Sequence, residues 1–263
     1  MHIVSLQNER VKQVVRLRDS ARQRRRERLM VVEGRDEISL ALGSGAKPTS
    51  VYCAPDLTQS SGTVIEPASV TTVAEPVFRK MSYRASPDGW LAVFPIPERM
   101  LSDVHLGVPP FLVIAETVEK PGNLGAVLRT ADAAGVNAVV VCDPQTDLSN
   151  PNVVRASRGT VFTMQTAQAP SSDVIAWLRA NGIRIVAACP DGATELGSAD
   201  LGGPVAVVVG GEHEGLSEKW LAEADMRVSI PMVGCVNSLN VSVAAAVIVY
   251  EVVRQRRSST GRL

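Results

Sequence analysis

The sequence predicts a protein of class α/β made of two α/β domains in tandem, and three observations predict it. Residues 111–263 alternate short apolar runs with amphipathic stretches in a regular β/α rhythm. That rhythm is the pattern of a mostly parallel sheet covered by helices on both faces. Residues 1–97 alternate the same kinds of segment less regularly, as a small α/β domain does. Between them Pro95, Pro97, Pro109 and Pro110 bracket a stretch with little periodicity, so residues 98–110 read as a linker.

Each element follows from local pattern. Asn8–Arg28 carries Val11, Val14, Val15 and Leu17 at helical spacing and then a charged tail, which predicts one amphipathic helix. Leu29–Glu33 reads as a buried strand, and Arg35–Leu42 as a helix closed by Gly43 and Gly45. Ser50–Ala54 is a strand, Glu75–Met81 a short helix and Trp90–Phe94 a strand. In the second part strands are expected at Phe111–Ala115, Ala138–Cys142, Ile183–Ala188, Val205–Val209 and Arg227–Ile230. Helices are expected at Gly125–Ala134, Asp173–Ala180, Ser217–Ala224 and Leu239–Arg254.

Composition narrows the class of function. The chain of 263 residues is 45% hydrophobic and has a formal net charge of zero, so a highly basic nucleic-acid binder is not indicated globally. Charge is nevertheless uneven. Residues 1–30 hold nine Lys or Arg against three acidic residues, with Arg24, Arg25 and Arg26 consecutive. Such a block suits a polyanion or a solvated helix face. Cys53, Cys142, Cys189 and Cys235 have neither zinc-ligand nor redox-motif spacing and read as free thiols in a reducing cytosol. The N-terminus has no apolar signal core, and the longest apolar stretch, Val241–Tyr250, is about half the roughly 20 residues a membrane span needs. A soluble, cytoplasmic protein without a membrane partner is expected.

Four segments carry chemistry. Glu-Lys-Pro-Gly-Asn-Leu-Gly-Ala-Val-Leu-Arg-Thr-Ala (119–131) puts Asn123 at a strand-to-helix turn and Arg129 about two helical turns on. Asn123 suits a cap, and Arg129 suits a surface ion pair or a grip on phosphate. The dinucleotide spacing G-x-G-x-x-G and the P-loop Gly-Lys-Ser/Thr are both absent, which argues against a NAD-type enzyme. The strand Val205–Val209 runs into Gly210-Gly211-Glu212-His213-Glu214-Gly215, and ligands of α/β sheets gather at such strand ends. Ile230-Pro231-Met232 ends a strand, and Ser238-Leu239-Asn240 opens an apolar helix, where Ser238 or Asn240 would cap any helix. Arg155-Ala156-Ser157-Arg158-Gly159 offers two guanidinium groups, as a phosphate grip or an exposed loop.

Taken in this order, the segments at 119–131, 208–217, 230–232 and 238–246 resemble the three signature motifs of the SpoU/TrmH branch of the SPOUT RNA methyltransferases. The resemblance is strong over 111–257 and looser over 5–97, where the chain resembles the ribosomal-protein-like RNA-binding extension of rRNA-directed members. It implies a C-terminal SPOUT domain with a deep trefoil knot and S-adenosylmethionine as cofactor, with S-adenosylhomocysteine as product. It further implies main-chain cofactor contacts at Gly210, Ile230 and Leu239, with Met232 beside them, and a catalytic, site-shaping set of Asn123, Arg129, Glu212, Ser238 and Asn240. Arg24, Arg25, Arg26, Arg155 and Arg158 are expected to face RNA. The implied activity is metal-free 2′-O-ribose methylation of RNA, large-subunit rRNA first and tRNA second. A non-catalytic RNA-binding protein is the alternative from another class. The residues alone leave a housekeeping and an antibiotic-resistance role undivided. An arginine keeps its proton at neutral pH, so Arg129 reads as a stabiliser of negative charge rather than a base. A homodimer through the C-terminal domain is implied, with each site completed by the partner's arginine. Val241, Ala244, Ala245, Ile248 and Val252 form an apolar stripe that serves either that contact or the core.

Overall fold

The computed structural model describes residues 2–58, 70–97 and 99–259, so the expected linker is described from its second residue on. In chain order the first elements are β1 (His2–Ile3), α1 (Glu9–Asp19), α2 (Ala21–Glu27), β2 (Leu29–Glu33), α3 (Arg35–Gly43), β3 (Ser50–Cys53), β4 (Val70–Val73), α4 (Glu75–Met81) and β5 (Trp90–Pro95). There follow β6 (Phe111–Glu116), α5 (Pro121–Ala133), β7 (Ala138–Cys142), α6 (Pro151–Ala156), β8 (Gln165–Ala169), α7 (Ser171–Ala180) and β9 (Arg184–Ala188). The last are β10 (Thr194–Glu195), β11 (Val205–Val209), α8 (Glu218–Glu223), β12 (Met226–Ser229) and α9 (Val241–Ser259). The α/β expectation holds.

The chain forms two compact units. The first holds the residues up to Pro97 together with Asp147–Thr163, and the second holds the remainder. In the first unit five strands lie in the order β1-β4-β3-β5-β2, with β5 antiparallel to both neighbours. Val14 and Leu17 of α1 and Phe78 and Met81 of α4 are fully buried with Tyr52 and Leu91 of the sheet. Each such side chain contributes about 1.5–3 kcal/mol of apolar transfer. Asn8 caps α1 through its side chain, accepting from the Arg10 peptide N–H at 3.0 Å. The single helix expected over 8–28 is two helices, because Ser20 adopts extended backbone (φ −125°) and its hydroxyl caps α2. A capping serine there competes with helix continuation.

The segment 147–163, which follows β7 in the chain, packs in this first unit. Phe162 stacks tilted on Phe94 with centroids 5.2 Å apart. Arg24 is 3% exposed. It pairs with Asp147 at 2.8 Å and donates to the carbonyls of Leu17 and Arg18 at 2.9 and 3.1 Å. This overturns the expectation that Arg24 faces RNA: its guanidinium is enclosed and spent on joining α1, α2 and the 147–163 segment. Arg25 and Arg26 are exposed.

The second unit is built on a seven-stranded, wholly parallel sheet in the order β10-β12-β9-β11-β6-β7-β8. Its central strands β11 and β6 are buried along their whole length, which is why they read as unbroken apolar runs. One sheet face packs Leu112, Ile114 and Val208 with Val174 and Leu178 of α7 and Trp220 of α8. Helices α5 and α9 pack against each other, and α9 lies over β11. The chain moves outward from β6 to β7 and β8, then crosses back to β9 and inserts β11 beside β6. The order therefore reverses between β6 and β11, and ligand sites of open α/β sheets form at such reversals. Strands β1, β4, β8 and β10 and helix α6 were not expected from the sequence. Among the described residues no helix is long and apolar enough to cross a membrane.

Replacing Arg24 with alanine strands Asp147 and frees the Leu17 and Arg18 carbonyls, so stability falls by about 3 kcal/mol. Arg25→Ala and Arg26→Ala, on exposed side chains, change it by no more than about 0.5 kcal/mol. Urea denaturation of the three variants measures the contrast, and equal midpoints for all three would show that the Arg24 clamp carries no stability.

Candidate active site

At the carboxyl ends of β9, β11 and β12 the second unit opens a cleft of about 530 Å³. Its floor is the loop after β11, its sides are Cys189 and Pro190 after β9, and its far wall is Ile230, Met232 and Asn237–Val241 with Ala244 and Ile248 of α9. All four residues expected at the cofactor, Gly210, Ile230, Met232 and Leu239, line it. Gly210 stands where no other residue fits. A Cβ there would collide with the Gly215 carbonyl and the Leu216 nitrogen, because the loop closes on itself through a reciprocal pair of hydrogen bonds, 3.0 and 3.1 Å, between the Gly211 and Gly215 peptide groups.

The walls suit an amphipathic ligand. Ile230, Met232, Leu239, Val241 and Ile248 offer apolar surface. Among the described residues the peptide groups of 231–239 make no hydrogen bond, so their N–H and C=O groups are open to a ligand. Such a segment is built for recognition by main chain, and its side chains are free to be plain.

Glu212, Asn123 and Asn240 form one hydrogen-bonded relay. Glu212 accepts from the peptide N–H of Glu119 at 3.0 Å and of Lys120 at 3.1 Å, and from the Asn123 amide at 2.6 Å. Asn123 Oδ1 in turn accepts from the Asn240 amide at 3.2 Å, and Asn240 Oδ1 caps α9 by accepting from Ser242 N at 3.0 Å. Partial burial opposes the charge of Glu212, but the bonds from Glu119, Asn123 and Lys120 outweigh it and hold the carboxyl below its usual range. An ionised carboxylate accepts only, so it forces the Asn123 NH2 toward itself and the Asn123 oxygen toward Asn240. These three expected catalytic residues thus meet in space, although Asn123 lies 89 residues from Glu212 and 117 from Asn240 in the chain. Their hydrogen bonds run to one another and to neighbouring peptide groups.

Ser238 lines the cleft and is exposed. Arg129 does not line it. It projects from α5, exposed and without an ion pair or hydrogen bond among the described residues. Arg155 and Arg158 are exposed and lie in the first unit with Arg25 and Arg26. The stripe Val241, Ala244, Ala245, Ile248 and Val252 faces inward: Ala245, Ile248 and Val252 are at most 1% exposed. The outward apolar stripe of α9 is instead Val243, Val247 and Tyr250, each 40–50% exposed. Sequence reasoning passed over Lys120, Cys189, Pro190 and Asn237 in the cleft. The first three follow the carboxyl ends of β6 and β9, a position that signals a ligand edge once the strand order is known. Among the described residues no group of three or more His, Cys, Asp or Glu side chains is placed to hold a metal ion.

Two family models match. Residues 110–250 match the SpoU rRNA methylase family, and residues 8–92 match the MRM3-like substrate binding domain. A 23S rRNA (uridine(2479)-2′-O)-methyltransferase of Streptomyces viridochromogenes is 35% identical over 66% of this chain and 62% of its own length. The chain thus spans under two thirds of that relative. A crystal structure of an RNA 2′-O ribose methyltransferase superposes with a TM-score of 0.87 at 40% identity, covering 97% of this chain and 99% of the other. An AdoMet-bound rRNA methyltransferase from Sinorhizobium meliloti superposes with a TM-score of 0.87 at 31% identity, covering 97% of each chain.

The depressed pKa of Glu212 gives a pH signature. Its stabilising bonds are complete above the ordinary glutamate value of about 4.3 and are lost as pH falls through that value to the lowered folded one. Glu212→Gln presents an NH2 where peptide donors point, so it is less stable than the parent at pH 7. The difference narrows as pH falls through the ordinary glutamate value toward the lowered folded one, where the parent carboxyl becomes protonated too. Denaturation midpoints of both proteins from pH 3 to 7 test this, and a gap that does not change with pH refutes it.

Proposed function

This chain belongs to the SpoU rRNA methylase family, and on that premise we propose that it is an S-adenosylmethionine-dependent RNA 2′-O-ribose methyltransferase, acting in the cytoplasm on large-subunit rRNA. The observation that carries the reading is the cleft at the strand ends, where Gly210, Ile230, Met232 and Leu239 converge on unpaired peptide groups. Those walls fit an adenosine and an amino-acid moiety held by main chain. With the reading goes the knotted path that the family implies for the last segment.

Bound there, the cofactor supplies an electrophilic sulfonium methyl. The residues of this chain then have three tasks. The main chain of 230–240 fixes the methyl donor, and the Glu212–Asn123–Asn240 relay fixes the loop after β11, the start of α5 and the start of α9 against one another. Rigid placement of donor and acceptor accounts for much of such a displacement. Arg129 offers a permanent positive charge for RNA phosphate and for the 2′-oxygen as it loses its proton. In the transfer the ribose oxygen forms its bond to carbon as the carbon–sulfur bond breaks, and the hydroxyl proton leaves to solvent.

Arg129 lies outside the cleft of its own chain, and α9, which packs against the helix that carries Arg129, exposes Val243, Val247 and Tyr250. These two facts support a homodimer in which α9 is buried and each arginine serves the partner's cleft. A symmetric dimer makes that exchange reciprocal.

S-adenosylhomocysteine binds the pure protein in EDTA with micromolar Kd, roughly 8 kcal/mol. Absence of calorimetric heat at high protein concentration would sink the cofactor assignment, and mass-spectrometric mapping of treated rRNA locates the 2′-O-methyl group. Arg129→Ala keeps that affinity and loses methyl transfer. Gly210→Val loses the affinity. Mixed and re-equilibrated, the two inactive variants recover up to about a quarter of wild-type activity, because half the dimers are mixed and each has one intact site. No recovery in the mixture would place Arg129 in its own chain's site, and Val247→Asp should leave monomers by light scattering.

A further inference from the structure

We propose that a cleft in the first unit, at the N-terminal end of α3, seats one unpaired base of the RNA and reads its hydrogen-bonding edge. The inference rests on the methyltransferase reading above and concerns a nucleotide other than the one methylated. The cleft encloses about 680 Å³, within the range of ligand pockets, and its walls include Arg35, Asp36, Arg84, Asp88, Trp90 and Arg158. Arg158 comes from the 147–163 segment, which packs in this same unit. Gly159 holds the turn in place. It takes φ +84° and lies so close to α3 that a Cβ would stand 3.2 Å from the Glu37 Cα and carbonyl oxygen.

The charges argue for a base over a phosphate. Glu37 is nearly buried and pairs with Arg84 at 2.9 Å. Asp88 accepts from the peptide N–H of Arg35 at 2.8 Å and of Trp90 at 3.1 Å. Arg158 and Asp36 approach at 3.4 Å, but their side chains are 57% and 77% exposed, a pairing that water and a ligand readily replace. Three guanidinium groups therefore face three carboxylates. A phosphate clamp carries surplus positive charge, and this cleft has none. It offers donors beside acceptors along its walls, which suits the hydrogen-bonding edge of an unstacked base. Arg84 Nε is buried without a hydrogen-bond partner among the described residues, an arrangement uncommon in native proteins unless a ligand or water completes it.

The test titrates a large-subunit rRNA transcript against the full chain at several salt concentrations, for wild type, Asp36→Asn and Arg158→Gln. Both side chains are exposed, and unchanged thermal melting controls for folding. A base-reading cleft makes both variants bind about fivefold to a hundredfold more weakly, with the slope of log affinity against log salt unchanged. Tighter binding by Asp36→Asn, or a slope lower by about one unit for Arg158→Gln, would mean a phosphate site and overturn the inference. So would unchanged affinity in both variants. The four free nucleoside monophosphates are titrated in parallel, and one that binds more tightly than the transcript would make this a small-nucleotide site. Wild-type methyl transfer to the transcript is read separately. If it occurs while the variants bind normally, only the cleft assignment falls; if wild type neither binds nor methylates the RNA, both readings fall.

Discussion

One ionised carboxylate holds the working edge of the second unit together. Glu212 sits in the loop after β11, yet its oxygens terminate hydrogen bonds from the loop after β6 and, through Asn123, reach the cap of α9. Three segments far apart in the chain are thereby fixed in one place. The relay works because every link is directional: a carboxylate that only accepts sets the rotamer of an amide, and that amide sets the next. Gly210 supplies the complementary steric constraint. By letting the loop fold back onto its own backbone, it keeps Glu212 at the strand end instead of letting it swing into solvent.

Much of this was legible in the sequence, and the reasons are physical. β6, β7 and β11 are buried on both faces, so they appear as apolar runs that no loop would carry. The strands that escaped notice lack that signature. β8, Gln-Thr-Ala-Gln-Ala, is an edge strand with three polar residues in five, and β4, Val-Thr-Thr-Val, pairs with only a short β1 on one side. α6 has six residues, too few for a period to show. Site residues followed the same rule. Gly210, Ile230, Met232 and Leu239 belong to contiguous motifs and line one cleft; Cys189 and Pro190 join it through strand order alone, which one-dimensional pattern does not carry.

Arg24 and α9 show the limit more sharply. In a run of three arginines nothing local distinguishes the one whose partner, Asp147, lies 123 residues away. Burial of that guanidinium is a tertiary fact. On α9 apolar residues occur almost all round the helix, so no hydrophobic direction exists to be read. Ala245, Ile248, Val249 and Val252 are buried, and Val243, Val247 and Tyr250 are what remains outward. A helix apolar on every side is ordinarily buried on every side.

The placement of 147–163 also constrains how such a chain can be inherited. The segment lies between β7 and β8 of the parallel sheet, yet Val153, Val154 and Phe162 are buried with residues that precede Pro97. The two compact units are therefore joined by three chain crossings instead of one hinge. A gene that lost the first 97 codons would leave an insert with its apolar side bare, and a gene that gained them would need a matching insert already in place. The portion before Pro97 is not a detachable module. It and the loop after β7 form one evolutionary character, and changes in either are expected to be compensated in the other.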